Sequence, residues 1–130
     1  MSQENVETVG RAIAAINARD IDAYLACCTE HVELLTPFVG ADYLGSDGIR
    51  RFLTDIEDAG PDLRIEAQRV QAIGDSNAIA FVRFRSTGRA SGIVTGAESA
   101  NVYDFIEGKI SRVRIFLDRD EALEAVGLEE

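Results

Sequence analysis

The chain has 130 residues, 46% of them hydrophobic and 28% charged, and its 23 Asp and Glu against 13 Lys and Arg give a formal charge of −10 at pH 7. A single domain of this size buries roughly two thirds of its unfolded surface, and the composition supplies both a core and a wetted exterior, which excludes a disordered chain. The acidity repels a phosphate backbone, so no nucleic-acid partner is expected. No apolar run reaches the ~20 residues that span a bilayer, and the opening Met1-Ser2-Gln3-Glu4-Asn5 has neither the basic nor the apolar part of a signal peptide. No membrane association and a cytoplasmic location are therefore expected. Cys27 and Cys28 are neighbours in what reads as a helix, where they cannot bridge each other, and a single histidine completes no zinc set, so neither a metal nor a cofactor is expected.

Along the chain, Val6, Val9, Ile13 and Ile16 recur every three or four residues and predict an amphipathic first helix over 6–16, ending near Asn17 and Ala18. Asp20 is placed to cap a second helix with Ile21, Tyr24, Leu25 and Cys28 at helical spacing. Residues 31–35 change to an extended piece, closed at Thr36 because Pro37 drives the preceding residue out of helical space, and 38–45 read as loop. Ser46 or Asp47 is placed to cap a third helix whose Ile49, Phe52, Leu53 and Ile56 form one apolar face before Gly60-Pro61. From Leu63 the period becomes two. Leu63, Ile65, Ala67 and Val70 lead to the turn Gly74-Asp75-Ser76-Asn77, and the alternation of 78–85 predicts the antiparallel partner strand. A glycine-bearing link over 88–96 leads to strands over 98–106 and 110–117, joined at Glu107-Gly108. Asp118, with Glu121 in the capping-box position, opens a last short helix stopped at Gly127. Helices first and an antiparallel sheet afterwards is an α+β pattern, with a pocket expected where a curved sheet and its helices cannot close on each other.

The order of these elements and four short motifs resemble the SnoaL-like group of the nuclear-transport-factor-2-like, or ketosteroid-isomerase-like, superfamily. The motifs are Ala14-Ala15-Ile16-Asn17-Ala18-Arg19-Asp20, residues 45–52, Tyr103-Asp104-Phe105-Ile106-Glu107-Gly108-Lys109-Ile110 and Phe116-Leu117-Asp118-Arg119-Asp120-Glu121-Ala122-Leu123. The resemblance implies one SnoaL-like domain over 1–130, folded as a cone-shaped cystatin-like barrel with three N-terminal helices packed on a curved antiparallel sheet. It also implies a deep apolar pocket and a homodimer through the outer sheet face. Activities within the superfamily run from isomerisation and polyketide cyclisation to epoxide hydrolysis and plain binding, so fold alone does not name a reaction.

The isomerases of this group use an aspartate base, a helix tyrosine and a protonated strand aspartate. By motif these positions fall on Thr36, Ala12 and Asn101, which removes the base and half the oxyanion hole. The cyclases need one acid–base carboxylate, for which Glu33 and then Glu98 are the candidates, ahead of Asp42, Asp104 and the sole imidazole, His31. An epoxide-hydrolase Asp-Arg-Asp set has no visible spacing. Strand parity sends Arg83, Arg85, Arg112 and Arg114 to the outer sheet face, toward a second copy, and Val82, Phe84, Val113 and Ile115 toward the helices. The expected ligand is a small hydrophobic, oxygenated ring bordered by Tyr24, Thr36, Phe38, Phe52, Asn101 and Tyr103, with Asn101 orienting one oxygen. On this reading the chain is a small-molecule enzyme of cyclase, isomerase-like or hydrolase type; the alternative is a non-catalytic binding protein for the same ligand.

Overall fold

The computed structural model describes residues 2–37, 42–60, 62–85 and 97–127. In chain order the elements are α1 (Ser2–Ala18), α2 (Ile21–Ala26), β1 (Cys28–Leu35), β2 (Tyr43–Leu44), α3 (Gly45–Ala59), β3 (Arg64–Ile73), β4 (Asn77–Arg85), β5 (Glu98–Ile106), β6 (Lys109–Phe116) and α4 (Arg119–Ala125). The six strands form one sheet in the order β2-β1-β6-β5-β4-β3.

The α+β class stands, but the barrel does not. β1 runs parallel to β6, with Glu33 opposite Arg112 and Leu34 opposite Val113, while the other pairings are antiparallel. The sheet is therefore mixed. Among the described residues it is also open, because β2 and β3 are its two edges and no ladder joins them. The helices are not a block of three at the N-terminus either: β1 and β2 intervene before α3, and α4 follows the last strand. Local period reports that a segment is a strand and which face is apolar, but not the direction of its partner, and the β1–β6 pairing joins segments far apart in sequence.

The main core lies between the inner sheet face and α1, α2 and α3. Ile13, Ile16, Phe52, Val82 and Val113 are all buried there, with Phe84 and Ile115 packed against them. α1 is fastened to the β3–β4 hairpin at both ends by asparagines. Near its start Asn5 Nδ2 donates to the Asp75 carbonyl at 2.9 Å. Near its end Asn17 donates to the Ile65 carbonyl at 2.9 Å and accepts from the Ile65 N–H at 2.8 Å, standing in for a neighbouring strand at that edge of the sheet. Arg19 closes α1 in the left-handed region at φ 56°, and its guanidinium donates to the carbonyls of Ile16, Gly60 and Leu63 and to Glu57 Oε1.

A second, smaller core sits on the outer sheet face. There Ala122 of α4 is fully buried against Ile79, Ala100 and Val102, and Arg119 stacks over the Phe81 ring at 4.6 Å. α4 is capped as expected, with Asp118 Oδ1 accepting from the N–H groups of Asp120 and Glu121. α2 is capped by Asp20 but ends at Ala26, so Cys27 follows the helix and Cys28 opens β1; both thiols are free and buried. α3 starts at Gly45 with Leu44 at the cap position and no side-chain capping bond, in place of a cap by Ser46 or Asp47.

Candidate functional site

Parity on β5 builds the site. Ser99, Asn101 and Tyr103 share one side of the strand and point toward the helices, whereas Glu98, opposite Arg83, and Asp104, opposite Arg112, belong to the other face. The inward row forms one wall of a cavity of about 70 Å³ between sheet and helices. Tyr24 from α2, Phe52 and Ile56 from α3 and Ile16 from α1 line the helix side; Leu34, Ile65, Phe84, Val113 and Ile115 complete the sheet side. Larger hollows exist, one of about 470 Å³ along the alanines of α1 and α2 and one of about 190 Å³ beside α4. The inner cavity is nonetheless the better candidate, because apolar walls and converging polar groups together define a small-molecule site.

Ser99 Oγ donates to Asn101 Oδ1 at 3.0 Å, and the Asn101 side chain lies near enough to the Tyr103 hydroxyl to act on its acidity. Burial pushes the Tyr103 phenol up to about 12, with the Asn101 contact opposing that rise. Tyr24, 1% exposed, is raised well above its ordinary value by burial and then by the neighbouring Tyr103. Both phenols are thus neutral at physiological pH and act as hydrogen-bond donors. Beneath them burial and the adjacent Cys27 lift the Cys28 thiol to about 12, and its S–H is turned to the Tyr24 carbonyl at 3.3 Å, so it is no nucleophile.

Of the expected ligand contacts, the structure brings Tyr24, Phe52, Asn101 and Tyr103 together around this cavity. Thr36 is not among the lining residues; its N–H donates to Asp42 Oδ1 at 3.1 Å at the end of β1. Phe38 lies outside the described residues. Neither candidate carboxylate reaches the cavity. Glu33 is exposed on the face of Arg112, and Glu98 is ion-paired with Arg83 at 2.6 Å on the outer face. His31 is exposed on β1, and Asp104 is held on the outer face by Asn77, Arg112 and Arg114. Ser99 was missed by the sequence reading although its parity with Asn101 marks it. No group of three or more metal-ligating side chains occurs among the described residues, and no helix among them is long and apolar enough to cross a membrane.

Three helices packed on the inner face of an open mixed sheet, a fourth on its outer face, and a polar row set into a mainly apolar cavity define an α+β architecture. The sequence family described as a SnoaL-like domain matches residues 9–113, and the chain belongs to that family. Among solved structures it is similar to a cystatin-fold protein of Novosphingobium aromaticivorans, at 26% identity and a TM-score of 0.72, over 89% of this chain and 98% of that one. It is similar also to TerC, co-crystallised with polyporic acid, at 22% identity and a TM-score of 0.74, over 95% and 98% of the two chains. Bal32a, from a soil-derived mobile gene cassette, shares 21% identity and a TM-score of 0.78 over 88% of each chain. Comparison with curated proteins gives no match.

Proposed function

We propose that the chain binds a small, neutral, largely apolar ring in the inner cavity and orients one carbonyl or hydroxyl oxygen of that ring against Tyr24, Asn101 and Tyr103. The observation that carries this reading is the Ser99–Asn101–Tyr103 row set into an otherwise apolar wall. The walls favour a ring by removing apolar surface from water, at ~25 cal/mol per Å², and neutral phenol and amide donors favour an acceptor oxygen without demanding charge. Of the two functions expected from the sequence, binding is the better supported. Proton abstraction needs a base within hydrogen-bond reach of the substrate, and among the described residues the cavity lining contains no carboxylate or imidazole. By sequence, residues 38–41 and 86–96 contain none either, while Glu129 and Glu130 lie outside the described residues. The chemistry the lining can assist is polarisation of a bound carbonyl by phenol and amide donors.

The test is calorimetric titration of the full chain with cyclohexanone, 1-tetralone and 2-naphthol. Binding is expected, weakened roughly tenfold by Asn101→Leu and by Tyr103→Phe, the loss of about one hydrogen bond. Failure of every ring to bind at millimolar concentration, or equal affinities in native and variant proteins, would overturn the reading.

A further inference from the structure

A cavity of about 70 Å³ is small for the ligand class proposed, since an apolar cavity of roughly 150 Å³ is what holds benzene. Some wall must yield, and what fixes the walls then decides which rings enter. Phe52 is the largest side chain that α3 contributes, and it is gripped from behind by a residue that does not line the cavity. Tyr43 of β2 lies edge-to-face with Phe52, ring centroids 5.3 Å apart and planes at 63°. α3 in turn holds Tyr43 along one stripe at helical spacing, Gly48, Arg51, Phe52 and Asp55. A Cβ at Gly48 would come within 2.6 Å of the Tyr43 carbonyl carbon, so strand and helix touch backbone to backbone there. The Arg51 guanidinium sits 4.9 Å above the Tyr43 ring, and the Tyr43 hydroxyl donates to Asp55 Oδ2 at 2.7 Å. Tyr43 is also paired across the ladder with Leu34, itself a cavity wall, so both sides of the grip end on the site.

We infer that Phe52 is the size-limiting wall of the cavity and that Tyr43 is the positioning residue that holds it there. This inference rests on the cavity being the ligand site. With Tyr43 in place Phe52 yields only enough to favour a single ring over a fused pair; released, it swings toward the space Tyr43 vacates and shifts that preference toward the fused pair.

Two measurements on the full chain test it. The first is the ratio of dissociation constants for cyclohexanone and 1-tetralone in the native protein, Tyr43→Ala, Tyr43→Phe and Phe52→Ala. Tyr43→Ala and Phe52→Ala are expected to move the ratio toward the bicyclic ketone by ~10-fold, the scale on which pocket size discriminates, and Tyr43→Phe, which keeps the ring contact, by less. The second is ligand-free: the flip rate of the Phe52 ring by carbon-13 relaxation should rise in Tyr43→Ala and, to a smaller degree, in Tyr43→Phe. A ring preference that shifts in Phe52→Ala but in neither Tyr43 variant would overturn the inference and leave the ligand site standing. An unchanged Phe52 flip rate in a folded Tyr43→Phe protein would overturn it as well. Failure of both ketones to bind the native protein and every variant would sink the ligand site itself.

Discussion

Tyr24, Tyr43 and Tyr103 are the only tyrosines in the chain, and each is held in its neutral form by where it sits. For Tyr24 and Tyr103 the first cause is burial beside the cavity. For Tyr43, pushed up to about 12, it is burial followed by the hydrogen bond to Asp55 and that carboxylate's charge. A phenol whose folded value lies above its unfolded value near 10 stabilises the fold fully below pH 10, and that stability is lost as pH rises through the folded value. The expected outcome is alkaline unfolding between pH ~10 and ~12, with phenolate absorbance absent near pH 10 and appearing together with loss of structure. Three tyrosines titrating near pH 10 in a protein with an intact circular dichroism spectrum would refute the placement of all three. This residue-level chemistry was partly legible in the sequence. Tyr24, Phe52, Asn101 and Tyr103 could be gathered because helical spacing and strand parity both report facing. Glu98 meets Arg83 and Glu33 is exposed, and neither placement is legible locally, because a carboxylate carries no sequence signal of its neighbours across a sheet.

At the scale of elements, the junction of α1, α3 and β3 hangs on Arg19. A non-glycine residue in the left-handed region is strained by about 1 kcal/mol, and a glycine would relieve that strain. The guanidinium outweighs it by bonding three backbone carbonyls at or near the ends of elements and pairing with Glu57, the Arg19 side chain being only 18% exposed. Arg19→Gly is therefore expected to destabilise the fold by about 2 kcal/mol, measured as a lower urea midpoint at unchanged slope. An equal or higher midpoint would show that backbone strain dominates. The Asn17-Ala18-Arg19-Asp20 motif thus has a structural meaning the sequence could only hint at. Asn17 pairs with the backbone of Ile65, Arg19 ties three elements and Asp20 caps α2. Caps at Asp20 and Asp118 were readable because the bond is local. The end of α2 was not, since Cys28 satisfies helical spacing equally well and is drawn into β1 by its pairing opposite Ile110.

At the scale of the whole molecule, the four arginines expected to face a second copy do lie on the outer sheet face, but each already meets a carboxylate of its own chain. Arg83 pairs with Glu98, Arg85 with Glu66, and Arg112 and Arg114 with Asp104. The apolar middle of that face is occupied too, by α4 seated on Ile79, Ala100 and Val102. Stable interfaces need an apolar, desolvated centre, and exposed ion pairs contribute little to one. A charge of −10 on each copy adds repulsion that low salt strengthens. The full chain is therefore expected to sediment as a 14.1 kDa species at micromolar concentration, in place of the homodimer that the resemblance implies. Ala122→Asp should reverse this, because a carboxylate cannot remain where Ala122 has no exposed surface, and lifting α4 bares the apolar strip beneath it. Association of that variant with increasing concentration, against a monomeric native chain, is the outcome expected from sedimentation velocity. A native species of twice 14.1 kDa would mean that the sheet face binds its copy with α4 in place.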